Sequence, residues 1–195
     1  MFCHFCRYGL LINTLNDSRV AYTYRSYVYT GKPTTVGDNT LYYEPTTVGK
    51  CSKLMEGYGW NKLSGNSLTT DNYYSGLDLM EVCSDHNMTF CGTIRSNRKG
   101  VPKDFVKTGG RTENSTIVWY DQARANVTLS SYCVSTKSQG KKCVLLLSNI
   151  PDLPSLGVTK DDNKKKTALF KYYDYSMLGT DVCGKYYCLS ILLSE

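Results

Sequence analysis

Long apolar runs are missing from this 195-residue sequence: the longest, Cys143 to Leu147, falls far short of the roughly 20 residues a membrane-spanning helix needs. A soluble chain with no membrane role is expected. Histidine is scarce. His4 and His86 are the only two, and no serine or cysteine stands in a nucleophile signature, so a hydrolase of the Ser-His-Asp type has no anchor. Neither a GxGxxG nor a Walker loop is present, which removes the usual glycine-rich phosphate cradles. Cys3 and Cys6 form a CxxC, yet no second CxxC or HxxxH completes the four soft ligands of a structural zinc. The nine cysteines are odd in number and scattered, and no apolar signal segment follows Met1, so a reducing, intracellular setting is expected instead of a secreted disulfide framework. The sequons at Asn16, Asn87, Asn114 and Asn126 would then have no use as glycosylation sites.

What is abundant is tyrosine, 17 residues against 5 Phe and 2 Trp, a composition that suits strands and half-exposed faces. Hydrophobic residues make up 41%, enough for one domain with a core, and the net charge of +6 permits an anionic partner without requiring one. The run RYGLLIN and the run RVAYTYRSYVYTG flank Asn16, Asp17 and Ser18, which predicts a hairpin with strands at about 8–14 and 20–29. Val48, Cys51, Leu54, Met55 and Tyr58 recur at the 3/4 spacing of one helix face. A short strand at 66–70, a short helix marked by Leu77, Met80 and Cys83, and a strand at 88–94 with Met88, Phe90, Gly92 and Ile94 on one side continue an alternating α/β order. The TTVG at 34–37 and 46–49 is too short to be an architectural repeat.

After Gly109 and Gly110 three strand-like runs follow one another, TIVWY, ANVTLSSYCV and KCVLLLS, and predict a small all-β insertion. Pro151, Pro154, Gly157 and a charge block then read as a connecting loop. The expected organisation is a mixed α/β core over 1–105, a β-rich insertion and connecting loop over 106–167, and a return to the core over 168–195.

Two features point to chemistry. Arg95, Asn97, Arg98, Lys99 and Lys103 lie together just after a predicted strand, with Asp104 the one acid nearby. Forked guanidinium and point-charge ammonium groups on one loop suit phosphate, and a solvated surface loop is the alternative. Asp71 ends a predicted strand, where α/β sheets place ligand sites and a carboxylate can hold a hard divalent cation; it can equally cap the following helix. Asp181 reads as an acid in a glycine-flanked turn ahead of a helix, with the same ambiguity. The lysines at 141–142 and 164–166 read as solubilising.

The blocks RYGLLINTLNDSRVAYTYRSYVYTGKP, LTTDNYYSGLDL, GTIRSNRKGVPKDF, LSSYCVSTKSQGKKCVLLLSN and LGVTKDDNKKKTALFKYYDYSMLGTD resemble, in order, successive blocks of a piggyBac-type DNA transposase over about Arg7 to Val182. The resemblance implies a partial RNase H-like core interrupted by a β insertion, and acid- and metal-dependent cutting and joining of DNA. It implies that Asp71 and Asp181 are the second and third catalytic carboxylates and hold Mg2+ or Mn2+. It also implies that Arg95, Asn97, Arg98, Lys99 and Lys103 lie along DNA, and that the protein is nuclear. The family's first carboxylate belongs upstream of RYGLLI, where this chain has MFCHFC, and Asp17 lies in a hairpin turn away from that strand. The block at Asp181 departs from the family, with Met177, Leu178 and Gly179 before the acid and Gly184 where a further Asp is usual. The sequence therefore implies a fragment with Asp71 and Asp181 vestigial, no productive metal binding, and at most non-specific DNA binding. Two alternatives stand beside it: an active transposase completed by a carboxylate from a longer product or another chain, as in a homodimer or with a full-length relative, and a protein-interaction module without a DNA role.

Overall fold

A computed structural model describes residues 11–20, 22–29, 45–124, 126–136, 140–151 and 166–192. The Cys3/Cys6 pair, the first TTVG and most of the 151–166 connection lie outside them. The chain divides into two compact units, one of residues 1–63 with 176–195 and one of residues 64–175.

In the first unit β1 (Leu11–Asn16) pairs antiparallel with β2 (Thr23–Tyr29), with Leu11 opposite Tyr29 and a bulge at Leu15/Asn16. The predicted turn is built by Asp17, whose Oδ1 accepts from the amides of Arg19 and Val20 and whose Oδ2 accepts from the Tyr24 hydroxyl. Helix α1 (Thr47–Tyr58) starts where Thr46 Oγ1 accepts from the Gly49 amide at 3.0 Å, and ends at Gly59, whose φ of 113° a side chain would resist. Its predicted apolar face is buried at Cys51, Leu54 and Met55. Lys50 and Lys53 lie over the rings of Tyr29 and Tyr27, so the tyrosines of β2 meet the lysines of α1 in cation–π contact. A single helical turn, α2 (Trp60–Leu63), closes this segment.

The second unit holds β3 (Ser67–Thr70), α3 (Leu77–Asp85), β4 (Thr89–Ile94), a short α4 (Lys103–Val106), β5 (Thr116–Tyr120), β6 (Thr128–Thr136) and β7 (Gly140–Ser148). The strands form one mixed sheet in the order β3-β4-β7-β6-β5, in which β3 and β4 are parallel and the remaining pairs antiparallel. The three strands expected as an insertion are thus hydrogen-bonded into the same sheet as β3 and β4. Strand β4 was expected to bury one side; it buries Phe90 and Cys91 on successive positions, because helices cover both of its faces.

A long helix, α5 (Ala168–Leu192), has its residues 168–175 in the second unit and the rest in the first. Its start covers one face of the sheet: Leu169 and Phe170 join Cys91, Tyr132 and Leu146 in a buried cluster, with the Tyr132 and Phe170 rings 5.1 Å apart. The other face of β4 faces α3, which buries Leu79, Met80 and Cys83. Asp181 was expected in a turn ahead of a helix; it lies inside α5. Gly179 does not break that helix. A Cβ there would run into the backbone of Asp17 and Ser18, so the glycine serves a close approach of α5 to the hairpin turn.

Candidate nucleic-acid interface

The parallel pairing of β3 with β4, Thr70 opposite Gly92, brings the ends of the two strands together. Asp71 follows β3 directly and Arg95 follows β4 directly. The acid and the basic loop, 24 positions apart in the sequence numbering of Asp71 and Arg95, therefore leave the sheet side by side.

Asp71 is half-buried, and its Oδ1 accepts from the Tyr73 amide at 3.0 Å. It caps a tight turn, not the helix itself. Its backbone carbonyl accepts from both the amide and the hydroxyl of Ser75, at 3.1 and 2.7 Å, and Ser75 Oγ is also 2.8 Å from Thr70 Oγ1. These bonds fix the carboxylate at the end of the sheet and leave Asp71 Oδ2 with no hydrogen bond among the described residues. An uncommitted carboxylate oxygen fits a hard cation that takes its other ligands from water and phosphate. Among the described residues no three His, Cys, Asp or Glu side chains gather around a common point. Asp71 offers one protein ligand, and Asp181 is an exposed residue of α5 in the other unit.

The basic loop is held at both ends. Arg98 Nη1 donates to the Ser75 carbonyl, Arg95 Nε donates to Asn72 Oδ1 at 3.4 Å, and the Arg98 guanidinium lies against Gly76. Downstream, Gly100 takes φ 92° and Pro102 leads into α4, whose Phe105 is buried and edge-on to Trp119. The Phe105 carbonyl accepts from Ser131 Oγ at 2.6 Å, and Ser131 is in turn bound by Arg111. Between these anchors Asn97, Lys99 and Lys103 are exposed and have no hydrogen-bond or ion-pair partner among the described residues. Of the weaker lysine runs, Lys141 donates to the Arg111 carbonyl and Lys166 pairs with Asp174.

Sequence reasoning missed the groups that hold the site. Gly92 lies where a Cβ would overlap Ser75 Oγ and stand 2.8 Å from Thr70 Oγ1, so β4 has no side chain under the Asp71 turn. A lone glycine in a strand pattern was the available signal, since it marks a close approach. Tyr173 of α5 places its hydroxyl 3.2 Å from Thr93 Oγ1, and its pKa is pushed up chiefly by burial and, to a smaller degree, by the charge of Asp71. No local pattern announces Tyr173.

The family model for the IS4 transposases matches residues 2–187. The chain belongs to the IS4 transposase family. No curated protein matches it. Among solved structures, a piggyBac transposase synaptic complex with hairpin DNA, determined by cryo-electron microscopy, superposes with a TM-score of 0.70 at 21% identity, covering 95% of this chain and 36% of that one. Both findings bear out the resemblance to piggyBac-type transposases, and the mixed sheet with its helices is the fold expected of an RNase H-like core. This IS4-family chain spans little more than a third of that transposase. Among its described residues no helix is long and apolar enough to cross a membrane.

Proposed function

We propose that this chain handles DNA within a metal-dependent, DDE-type transposase, with the loop Arg95 to Lys99 and Lys103 on the phosphodiester backbone and Asp71 on the metal beside it. The observation that carries the reading is the junction of the two loops: the turn that holds Asp71 and the loop that holds the cations contact each other through Asn72, Ser75 and Gly76. Cations alone are common on surfaces. Cations fixed next to a carboxylate with an uncommitted oxygen at the end of a parallel strand pair are the arrangement phosphoryl transfer needs.

Mg2+ or Mn2+, when bound, supplies Lewis acidity toward the phosphodiester and an activated water. Asp71 would hold it through Oδ2, in a position set by Tyr73 and Ser75. Lys99, Lys103 and Asn97 bind and orient the strand through its phosphates, contacts that carry no sequence information by themselves. Asp181, the further carboxylate the family resemblance implies, stays vestigial in this chain. Cutting needs more acids than these two, so the 195 residues by themselves bind duplex DNA non-specifically without nicking it, and cleavage waits on a carboxylate from a longer product or a second copy. A nuclear location goes with this reading.

The test is binding to a generic duplex across a salt series. Each phosphate contact adds about 0.9 to the slope of log affinity against log salt. Substituting Lys99→Ala with Lys103→Ala should lower that slope by about 2 and weaken binding at every salt concentration. Absence of binding at low salt by a folded chain contradicts the proposal.

A further inference from the structure

Within the basic loop, Arg98 is not placed like its neighbours. Asn97, Arg98 and Lys99 are all exposed, and Asn97 and Lys99 are unpartnered among the described residues, whereas Arg98 Nη1 donates to the Ser75 carbonyl and the guanidinium lies in the space a side chain at Gly76 would fill. A Cβ at Gly76 would overlap Nη2 and stand 2.9 Å from Cζ. Gly76 has φ −179°, an extended backbone any residue adopts, so its conformation does not call for glycine; the close approach of Arg98 does. Ser75, the residue whose carbonyl Arg98 grips, is also the residue that holds the Asp71 carbonyl and packs into the space above Gly92. The Asp71 turn is therefore gripped from strand β4 below and by the loop that leaves β4 above.

We infer that Arg98 is a positioning residue: it straps the Asp71 turn to the phosphate loop and sets the distance between carboxylate and cations, instead of binding a phosphate itself. The inference deepens the DNA reading and rests on it for its functional consequence. Lysine would not replace Arg98, because an ammonium is a point charge that cannot lie flat across a glycine with two nitrogens on the turn.

The clash at Gly76 provides the test. The atoms a side chain there would meet belong to the flexible end of Arg98, so Gly76→Ser displaces the guanidinium without dismantling the fold, and serine is a favoured cap for the helix that follows. It leaves Arg98 charged and free to reach DNA. Four chains are compared, wild type, Arg98→Ala, Gly76→Ser and the double variant, with Arg98→Lys alongside. The first readout is hydrogen exchange over 71–80, which needs no DNA. The second is affinity for a generic duplex. The strap predicts faster exchange in all four variants, a similar loss of affinity of about 3- to 10-fold in each single variant, no further loss in the double, and no rescue by lysine. Arg98 as a phosphate ligand predicts the opposite: Gly76→Ser binds like wild type, Arg98→Lys retains most affinity, and exchange over 71–80 is unchanged. Either unchanged exchange in Arg98→Ala or wild-type affinity in Gly76→Ser overturns the inference. If wild type itself binds no DNA, the proposed function falls, and the exchange comparison alone decides the strap.

Discussion

The hydroxyl of Ser75 occupies the space that a side chain on Gly92 would need, so the turn carrying Asp71 rests directly on the backbone of strand β4. The same serine bonds the Asp71 carbonyl and Thr70 Oγ1. A strand without a side chain at one position thus supports the carboxylate at the end of its neighbour.

Gly92→Ala should overpack this contact, with Thr70 Oγ1 and Phe90 Cζ also within 2.9 Å of the new Cβ. Forced methyl groups in packed interiors cost about 1–3 kcal/mol. Urea unfolding should show a loss in that range. The double variant Gly92→Ala with Ser75→Ala should recover part of it, because the hydroxyl in the way is gone. Equal losses in single and double variants would place the strain elsewhere.

Gly179→Ala sets two effects against each other. Alanine is the better helix former by about 1 kcal/mol, but here its Cβ meets the backbone of Asp17 and Ser18, which cannot swing aside like a side chain. The clash should win, lowering the melting temperature and speeding hydrogen exchange in the hairpin 11–29. A stabilised variant would contradict the close approach of α5 to the turn.

The Asp17 carboxyl is held below the usual carboxylate range, first by the Tyr24 hydroxyl and then by the amides of Arg19 and Val20, while the same bond pushes Tyr24 up to about 12. The signs follow by linkage. A depressed carboxyl stabilises the folded hairpin above the ordinary value of 3.8, and that contribution is lost as pH falls through the lower folded value. A raised phenol stabilises it below 10, and that contribution is lost as pH climbs toward 12. In Tyr24→Phe, an NMR titration should find Asp17 shifted back upward. An unmoved titration would show that the backbone amides do the work.

Burial pushes the thiols of Cys83 and Cys91 up to about 12. Iodoacetamide at pH 8 should leave both unmodified in the folded chain while labelling them in urea, since the thiolate is the reactive form. Peptide mass spectrometry reads the outcome directly. Labelling of Cys91 at its unfolded rate would mean that the face between sheet and α5 opens.

Much of this was legible because local pattern and final environment agreed. The α1 spacing placed Cys51, Leu54 and Met55 where they are buried, and the runs at β5, β6 and β7 announced strands. Helix α5 was hidden for a tertiary reason: Gly179 reads as a breaker until the hairpin turn packed against it is known. The sequons had a reason the motif does not express. Asn87, Asn114 and Asn126 have φ of 56°, 63° and 63°, the left-handed region that asparagine tolerates, so three of those four asparagines are turn residues. For the site, Asp71 and the basic loop were each readable, but their adjacency depends on the parallel pairing of β3 with β4, which no local pattern encodes.

If the proposed function holds, a divalent cation on Asp71 sits beside the loop that holds the phosphates. The most direct measurement is paramagnetic broadening of backbone amide signals by Mn2+ in the labelled 195-residue chain with bound duplex DNA. Broadening should come early at 71–73 and 95–97 and be abolished by Asp71→Asn. Broadening confined to other acids, such as Asp104 or Asp121, or unchanged by that substitution, would contradict it.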